Sequence, residues 1–156
     1  MRIHLLSVAQ RVPAWVEEGY ATYAGRMPRE CRLELKEISP AKRARNADAR
    51  RVKEAEGQSL LAAVPKGALV VALDEHGSTW STRDLADRMD DWLAQGRDVA
   101  LLVGGADGLS EACRARADLI WSLSRLTFPH ALVRVLVAEQ VYRGWTVLKN
   151  HPYHRE

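Results

Sequence analysis

The sequence predicts an α/β fold with a mainly parallel sheet flanked by helices, and three observations lead to this prediction. Short apolar, β-type runs alternate with longer amphipathic stretches along the whole chain. Three of these runs are nearly continuously apolar, as strands buried on both faces should be. The alternation of strand and helix is repeated five times, which is typical of a parallel sheet covered on both sides.

The predicted elements follow in chain order. The first helix begins at Pro13, a favoured first helical position, and continues with helically spaced apolar residues to Met27. A later helix begins with the capping-box pair Ser81 and Asp84 and ends at Gly96. The five predicted strands are the runs at 2–8, 32–38, 68–74, 99–105 and 118–124.

Length and composition indicate one domain, residues 1–156, with a hydrophobic content of 47%. No apolar run approaches the ~20 residues that a membrane span requires. Arg11 and Pro13 interrupt the N-terminal run before a signal-peptide core develops, so we expect a cytoplasmic protein. Cys31 and Cys113 have no CxxC partner, which argues against a disulfide framework or a zinc cluster.

Positive charge is concentrated in "KRARNADARRVK", residues 42–53, which contains one acid, Asp48. Such a cluster is a candidate surface for the phosphates of a nucleic acid. A solvated loop and helix start remains the alternative, because isolated charge runs are weak evidence. The cations are Lys42, Arg43, Arg45, Arg50, Arg51 and Lys53.

The last predicted helix, residues 129–149, is apolar nearly all round. A helix of this kind must be buried nearly all round. One face can lie on the sheet, and we expect a second copy of the chain to cover the other, with Val137 and Val141 at the subunit contact. The alternative is that the chain's own loops cover it. The few polar positions include Arg134, Glu139, Gln140 and Arg143.

Ligands of open parallel sheets bind outside the carboxyl ends of the strands. Three predicted loops lie there: "DEHG", "GGADG" at 104–108 and "LSRLTFPH" at 123–130. The glycines of "GGADG" remove Cβ atoms where a ligand could lie against backbone, although a tight turn explains them equally well. The chain has neither GxxxxGK[ST] nor GxGxxG, which disfavours a pyrophosphate cofactor and suits an aromatic ligand such as adenine.

The histidines do not predict a metal site. His151 and His154 are three residues apart and His130 lies upstream, but no paired carboxylate or cysteine completes a ligand set. The chain also lacks the GxSxG elbow of a serine hydrolase.

Several stretches combine into a specific pattern: "LLVGGADGLS", "WSLSRLTFPHALVRVLVAEQVYR" and "NHPYHRE", in this order to the last residue. Together they closely resemble the ribosomal RNA large subunit methyltransferase H family, of the SPOUT superfamily. The resemblance implies a homodimer with a C-terminal trefoil knot. It further implies methylation of N3 of a pseudouridine in 23S rRNA on the assembled ribosome, with S-adenosyl-L-methionine as cofactor.

The resemblance also implies the cofactor residues, which belong to segments singled out above. The implied cofactor site consists of Leu73, Gly104, Gly105, Leu123, Ser124, Arg125, Leu126, Thr127 and Phe128. The chemistry of the tail and of the last helix adds a hypothetical catalytic set, which consists of Arg143, Tyr153, His154 and Arg155.

For the catalytic set, we expect His154 to accept the N3 proton and Tyr153 to hold the base. Arg143 and Arg155 are expected to contact RNA or an anion. The family pattern places this tail in the partner subunit's site. The competing hypothesis is a noncatalytic RNA-binding or ribosome-assembly factor that uses only the basic stretch.

Overall fold

The fold is known from a computed structural model, which describes residues 1–44, 46 and 48–155. The strands are β1 (Arg2–Val8), β2 (Arg32–Ile38), β3 (Leu69–Thr79), β4 (Val99–Val103) and β5 (Leu119–Ser122). The helices are α1 (Ala14–Ala24), α2 (Ala49–Ala62), α3 (Thr82–Gln95), α4 (Glu111–Arg116) and α5 (His130–Leu148), and a short 3-10 helix spans Arg29–Cys31.

The five strands form one sheet in the order β2-β1-β4-β3-β5, and every pair of neighbouring strands is parallel. Helices cover both faces of this sheet, so the predicted α/β class with a parallel sheet is confirmed. The trefoil knot stays a prediction, because the strand order alone does not show whether the chain after β5 passes through a loop of the preceding chain.

The two faces of the sheet have separate cores. On one face, α3 and α5 contribute most of the buried helical side chains, including Met89 and Val137, and α1 packs against α5. On the other face, α2 and α4 contribute Leu60 and Cys113. The all-apolar strand β4 is buried along its whole length, because it lies at the centre of the sheet between the two cores.

The start and the end of α3 follow the sequence prediction. The Ser81 side chain accepts a hydrogen bond from the Asp84 N–H, and the Asp84 carboxylate accepts one from the Ser81 N–H. Gly96 ends the helix with φ of 66°, a left-handed conformation that glycine adopts without a Cβ penalty.

Helix α5 corrects one expectation. Val137 and Val141 are 0% and 2% exposed and pack against the sheet, so their placement at a subunit contact is wrong. Arg134, expected among the polar positions, is 1% exposed. The rest of the apolar surface of α5 is only half-buried in the single chain, and it consists of Leu132, Val133, Val135, Leu136, Trp145, Val147 and Leu148.

Candidate functional site

A cavity of about 420 Å³ lies where β3, β4 and β5 present their carboxyl-terminal residues. Three segments contribute to its wall: part of β3, the "GGADG" loop after β4, and the segment after β5. The structure therefore brings the three predicted loops to one place. Eight of the nine predicted cofactor residues line the cavity: Leu73, Gly104, Gly105, Leu123, Ser124, Leu126, Thr127 and Phe128.

The β3 wall is formed by an outward loop in the strand, where the sequence predicts that the strand ends. Leu73 and Ser78 both pair with Trp121 of β5, so the four residues between them leave the ladder. Gly77 permits the return, because a Cβ there would lie 2.6 Å from the Ile120 carbonyl oxygen. Bulges of this kind commonly direct side chains into sites. Here the bulge places Asp74, Glu75 and His76 in the cavity wall.

The "GGADG" loop has glycines because its own backbone closes tightly. A Cβ on Gly104 would lie 2.5 Å from the carbonyl carbon of Gly108, which itself has φ of +82°. A Cβ on Gly105 would lie 3.2 Å from Val8 and from Glu56, which are not cavity-lining residues. The turn explanation therefore accounts for Gly104 and Gly108, whereas Gly105 lines the cavity with its Cβ position directed at Val8 and Glu56.

Short hydrogen bonds fix the segment after β5. The Ser122 hydroxyl donates to the Ser124 carbonyl at 2.8 Å, and the Ser124 hydroxyl accepts from the Leu126 N–H at 3.0 Å. The Thr127 hydroxyl donates to Glu75 at 3.1 Å, which joins this segment to the β3 bulge. Leu126 is 71% exposed at the edge of the cavity.

Arg125 is the exception among the predicted cofactor residues. It is exposed and does not line the cavity, although both of its neighbours in the chain do.

A partly buried ion pair was not predicted from the sequence. The Arg114 Nε donates to Asp74 at 2.8 Å, and the Asp74 side chain is only 7% exposed. Burial opposes ionisation of Asp74, but the His76 N–H and the Arg114 guanidinium outweigh it and hold the pKa of this carboxyl below its usual value. The sequence predicted the "DEHG" loop as part of the site but gave no role to its acids, Asp74 and Glu75. Nothing in the sequence indicated that Arg114 of α4 contacts this loop.

The basic stretch lies beside the cavity. Arg43 forms an ion pair with Asp107 of the "GGADG" loop. The Ala41 N–H donates to the buried Glu56 carboxylate at 3.1 Å. Arg43 thus attaches the 39–44 segment to the glycine loop and Ala41 attaches it to α2, and the sequence revealed neither connection.

Arg50 and Arg51 of the basic stretch have different surroundings in the structure. Arg50 pairs with Glu54 at 3.1 Å, and Arg51 is exposed. Arg45 lies outside the described residues.

Two residues of the predicted catalytic set meet on α5. The Tyr153 hydroxyl donates to Glu139 Oε1 at 3.0 Å, and its ring lies 4.7 Å from the Tyr142 ring, centroid to centroid. The Arg143 guanidinium donates to the same Oε1 and lies 5.2 Å from the centroid of the Tyr153 ring. Burial first, and then Glu139, raise the pKa of Tyr153 to about 12.

Within the described part of the tail, Tyr153 and His154 are half-buried, whereas His151, Pro152 and Arg155 are exposed. His151 Nδ1 accepts from the Tyr153 N–H at 3.1 Å, and the His154 Nδ1 is buried without a hydrogen-bond partner among the described residues. Arg155 is exposed with φ of 38°. Glu156 lies outside the described residues.

The predicted catalytic set and the cavity are separate within one chain. Arg143, Tyr153, His154 and Arg155 do not line the cavity. If these residues act on a molecule in the cavity, another copy of the chain must provide them.

Among the residues that the structure describes, no cluster of three or more His, Cys, Asp or Glu side chains has the arrangement of a metal site. In the same part of the chain, no helix is long and apolar enough to cross a membrane.

Comparison with known proteins is consistent with this geometry. A family model described as "Predicted SPOUT methyltransferase" matches residues 1–154. "Ribosomal RNA large subunit methyltransferase H" of Thioalkalivibrio sulfidiphilus (strain HL-EbGR7) is 63% identical over 156 residues, which are 100% of both chains. The protein of the same name from Methylococcus capsulatus (strain ATCC 33009 / NCIMB 11132 / Bath) is 61% identical over 99% of this chain and 100% of its own.

Solved structures share the fold at low sequence identity. A probable methylase family protein from Haemophilus influenzae Rd KW20 superposes with a TM-score of 0.58 at 14% identity, covering 99% of this chain and 70% of that one. TrmJ from Z. mobilis ZM4 gives a TM-score of 0.56 at 18% identity, over 93% of this chain and 70% of that one. These likenesses support the architecture alone.

Proposed function

Because this chain belongs to the SPOUT methyltransferase family, and within it to the ribosomal RNA large subunit methyltransferase H group, we propose that it methylates N3 of a pseudouridine in 23S rRNA on the assembled ribosome. The methyl donor is S-adenosyl-L-methionine, and the protein acts in the cytoplasm as a homodimer with a C-terminal trefoil knot. The observation that carries the proposal is the cavity at the carboxyl ends of three parallel strands.

The cavity has the chemistry that this cofactor requires. Leu73, Val103 and Phe128 give apolar walls for an adenine, and the backbone of the glycine loop approaches without side chains. The Glu75 carboxylate in the wall suits ribose hydroxyls and a cationic sulfonium, whereas the carboxylates of Asp74 and Asp107 are already paired with Arg114 and Arg43. The residues therefore fit the cofactor.

When bound, S-adenosyl-L-methionine supplies an electrophilic methyl group on its sulfonium sulfur. The protein must then hold N3 in line with this carbon, and such positioning supplies much of the catalysis. N3 of pseudouridine carries a proton that a base must take. We assign this role to the imidazole of His154, with Arg155 and Arg143 stabilising the anion that forms.

The proposed dimer brings the tail and the cavity together. Within one chain no residue of the catalytic set lines the cavity wall. The half-buried apolar side chains of α5 that do not line the cavity provide the surface for a second copy, because uncovered apolar area is typical of an interface. In this arrangement the tail of one subunit completes the site of the other.

A noncatalytic RNA-binding or ribosome-assembly factor is the competing function, and two measurements decide between them. Calorimetry should show binding of S-adenosyl-L-methionine but not of ATP, which shares the adenosine and adds phosphates. Labelled methyl should then be transferred to ribosomes that lack the modification, in preference to free 23S rRNA. A folded dimer that binds ribosomes but neither binds the cofactor nor transfers methyl would support the assembly factor.

A further inference from the structure

Glu139 forms hydrogen bonds with Gln140, Arg143 and Tyr153, and we call these four residues the tail cluster. The sequence alone gave Glu139 no role. Its Oε1 accepts three hydrogen bonds: from Arg143 Nε at 2.9 Å, from Arg143 Nη2 at 2.7 Å and from the Tyr153 hydroxyl at 3.0 Å. Its Oε2 accepts from the Gln140 side chain at 2.6 Å. A single carboxylate thus joins two of the predicted catalytic residues to the middle of α5.

The environment strengthens these contacts. The Glu139 side chain is 18% exposed and the Arg143 side chain 30% exposed, so water screens the pair only partly. Hydrogen bonds to an ionised acceptor are about twice as strong as those between neutral groups. The Tyr153 ring is also held on Tyr142, and therefore the tail is attached by packing as well as by charge.

The Tyr153 hydroxyl has one proton, and it donates that proton to Glu139. Tyr153 is therefore not available as a hydrogen-bond donor to a nucleobase in this conformation. Its role is to anchor the chain immediately before His154 and Arg155, the two residues proposed to act on the base.

We propose that Glu139 is a positioning residue for methyl transfer, which places the tail through Tyr153 and orients the Arg143 guanidinium. This inference rests on the proposed function, because it assumes that the tail residues act on the nucleobase. Glu139 touches neither cofactor nor base in this role. It sets the geometry of groups that do, and a displacement of about 1 Å in such groups typically costs ~100-fold in rate.

The matched variants are Glu139→Gln and Gln140→Ala. Glu139→Gln keeps the shape of the side chain but removes the charge that holds Arg143 and Tyr153. Gln140→Ala removes only the contact to Oε2. We expect Glu139→Gln to lower kcat for ribosome methylation at least ~10-fold, with the cofactor dissociation constant unchanged within about twofold. Gln140→Ala should remain within about twofold of wild type.

A double-mutant cycle tests whether Glu139 acts through Tyr153. Tyr153→Phe removes the same hydrogen bond from the other side and keeps the ring on Tyr142. If the two residues act as a unit, the double variant Glu139→Gln/Tyr153→Phe is no slower than the slower single variant. Multiplied defects would overturn the proposal.

An independent test comes from alkaline titration of the phenols. The pKa of Tyr153, whose titration is identified by its loss in Tyr153→Phe, is raised to about 12 first by burial and then by Glu139. This pKa should fall in Glu139→Gln but stay above the ordinary value, because burial remains. An unmoved Tyr153 titration would show that this contact does not form in solution and would overturn the proposal without any activity measurement. If Glu139→Gln does not fold, Tyr153→Phe alone decides: full activity of Tyr153→Phe contradicts the inference.

The proposed function and this inference fail in different ways. Wild-type protein that transfers no methyl to ribosomes refutes the function. Wild-type protein that is active, together with Glu139→Gln of equal kcat, refutes only the positioning role.

Discussion

The cavity and the tail cluster are built in different ways. Backbone conformation makes the cavity, through the bulge after Leu73 and the closed turn at Gly104. Side chains make the tail cluster, through three hydrogen bonds to one oxygen of Glu139. The cavity therefore depends on the sheet, whereas the tail depends on a few contacts with α5. We therefore expect that mutations in the cavity weaken binding of the cofactor, whereas mutations in the tail cluster slow methyl transfer and leave binding of the cofactor largely intact.

Removal of residues 153–156 should have the largest effect on transfer. The truncated protein loses His154 and Arg155, and loss of even one acid–base group typically costs ~100-fold or more in rate. Tyr153 packs against the core, so stability should fall modestly, by about 1–2 kcal/mol. Calorimetry should show that the cofactor still binds through the three strand-end segments, with an affinity that falls far less than the rate, although in the proposed dimer the partner's cavity loses one wall. Near-normal turnover would refute the tail's role.

Gly104→Ala should damage the cavity and leave the tail intact. The new Cβ would meet the Gly108 backbone, which has no side-chain freedom to yield, so the turn must open. We expect at least ~10-fold weaker cofactor binding and a lower melting temperature. Gly105→Ala is the matched control, since its Cβ would make only a tight contact with Val8 and Glu56. Equal effects of the two substitutions would contradict the geometry of the loop.

The sequence predicted where the cavity lies better than which side chains meet in its wall, and there is a physical reason. Strand periodicity and the rule for parallel sheets locate strand-end loops from local pattern alone. The inward direction of Asp74 depends on a bulge that brings two distant segments into register, and the partner of Arg114 depends on packing of α4. Local pattern carries no information on either.

The same limit explains the error on α5. An all-round apolar helix has no stripe that distinguishes the face on the sheet from the outer face. The sequence prediction therefore places Val137 and Val141 on the wrong side, and only the packing of α1 and α3 on α5 shows which face remains uncovered.

Substitutions on the outer face of α5, unlike those on its buried face, should disrupt subunit association without unfolding the chain. Leu136→Glu introduces a charge on the half-buried surface, and a buried unpaired charge at an interface costs several kcal/mol. Sedimentation should show a folded monomer, with cofactor affinity reduced less than methyl transfer. Val137→Glu, one residue along and fully buried, should instead unfold the chain. An intact Leu136→Glu dimer would place the interface elsewhere.

The two regions should also differ in their response to pH. Asp74 has a lowered pKa, so its ion pair stabilises the fold above the unfolded value of about 4 and is lost as pH falls through the lower folded value. Tyr153 has a pKa raised to about 12, so its contribution is complete below about 10 and is lost as pH rises through 12.

Urea unfolding measures both contributions. The stability difference between wild type and Asp74→Asn should shrink only below about pH 4, and the difference between wild type and Tyr153→Phe only above about pH 10. Tyr20, which has a similarly raised pKa, is common to both proteins of the second pair and cancels. A Tyr153→Phe difference that is constant from pH 9 to 12 would contradict the packing of Tyr153.

The smallest effect is expected from the basic stretch, and the structure decides which cations to change. Arg43 is paired with Asp107 beside the cavity and Arg50 with Glu54, so reversal of either disturbs more than the binding of a phosphate. The double variant Arg51→Glu/Lys53→Glu is a better test, because it leaves the ion pairs of Arg43 and Arg50 in place. We expect ribosome affinity to fall a few-fold and its log–log salt slope to decrease by up to about 2, one for each phosphate that the variant no longer neutralises.

Cofactor affinity should be unchanged in that double variant, because cations that bind phosphates position the RNA and do not form the cavity. Arg43→Glu serves as the contrasting control. It removes the partner of Asp107 and should weaken cofactor binding as well as ribosome binding. An unchanged salt slope in the Arg51/Lys53 variant would show that these cations do not bind phosphates and would support the alternative, a solvated surface. A change of slope with unchanged cofactor affinity would instead make it a third region, which binds RNA independently of both the cavity and the tail.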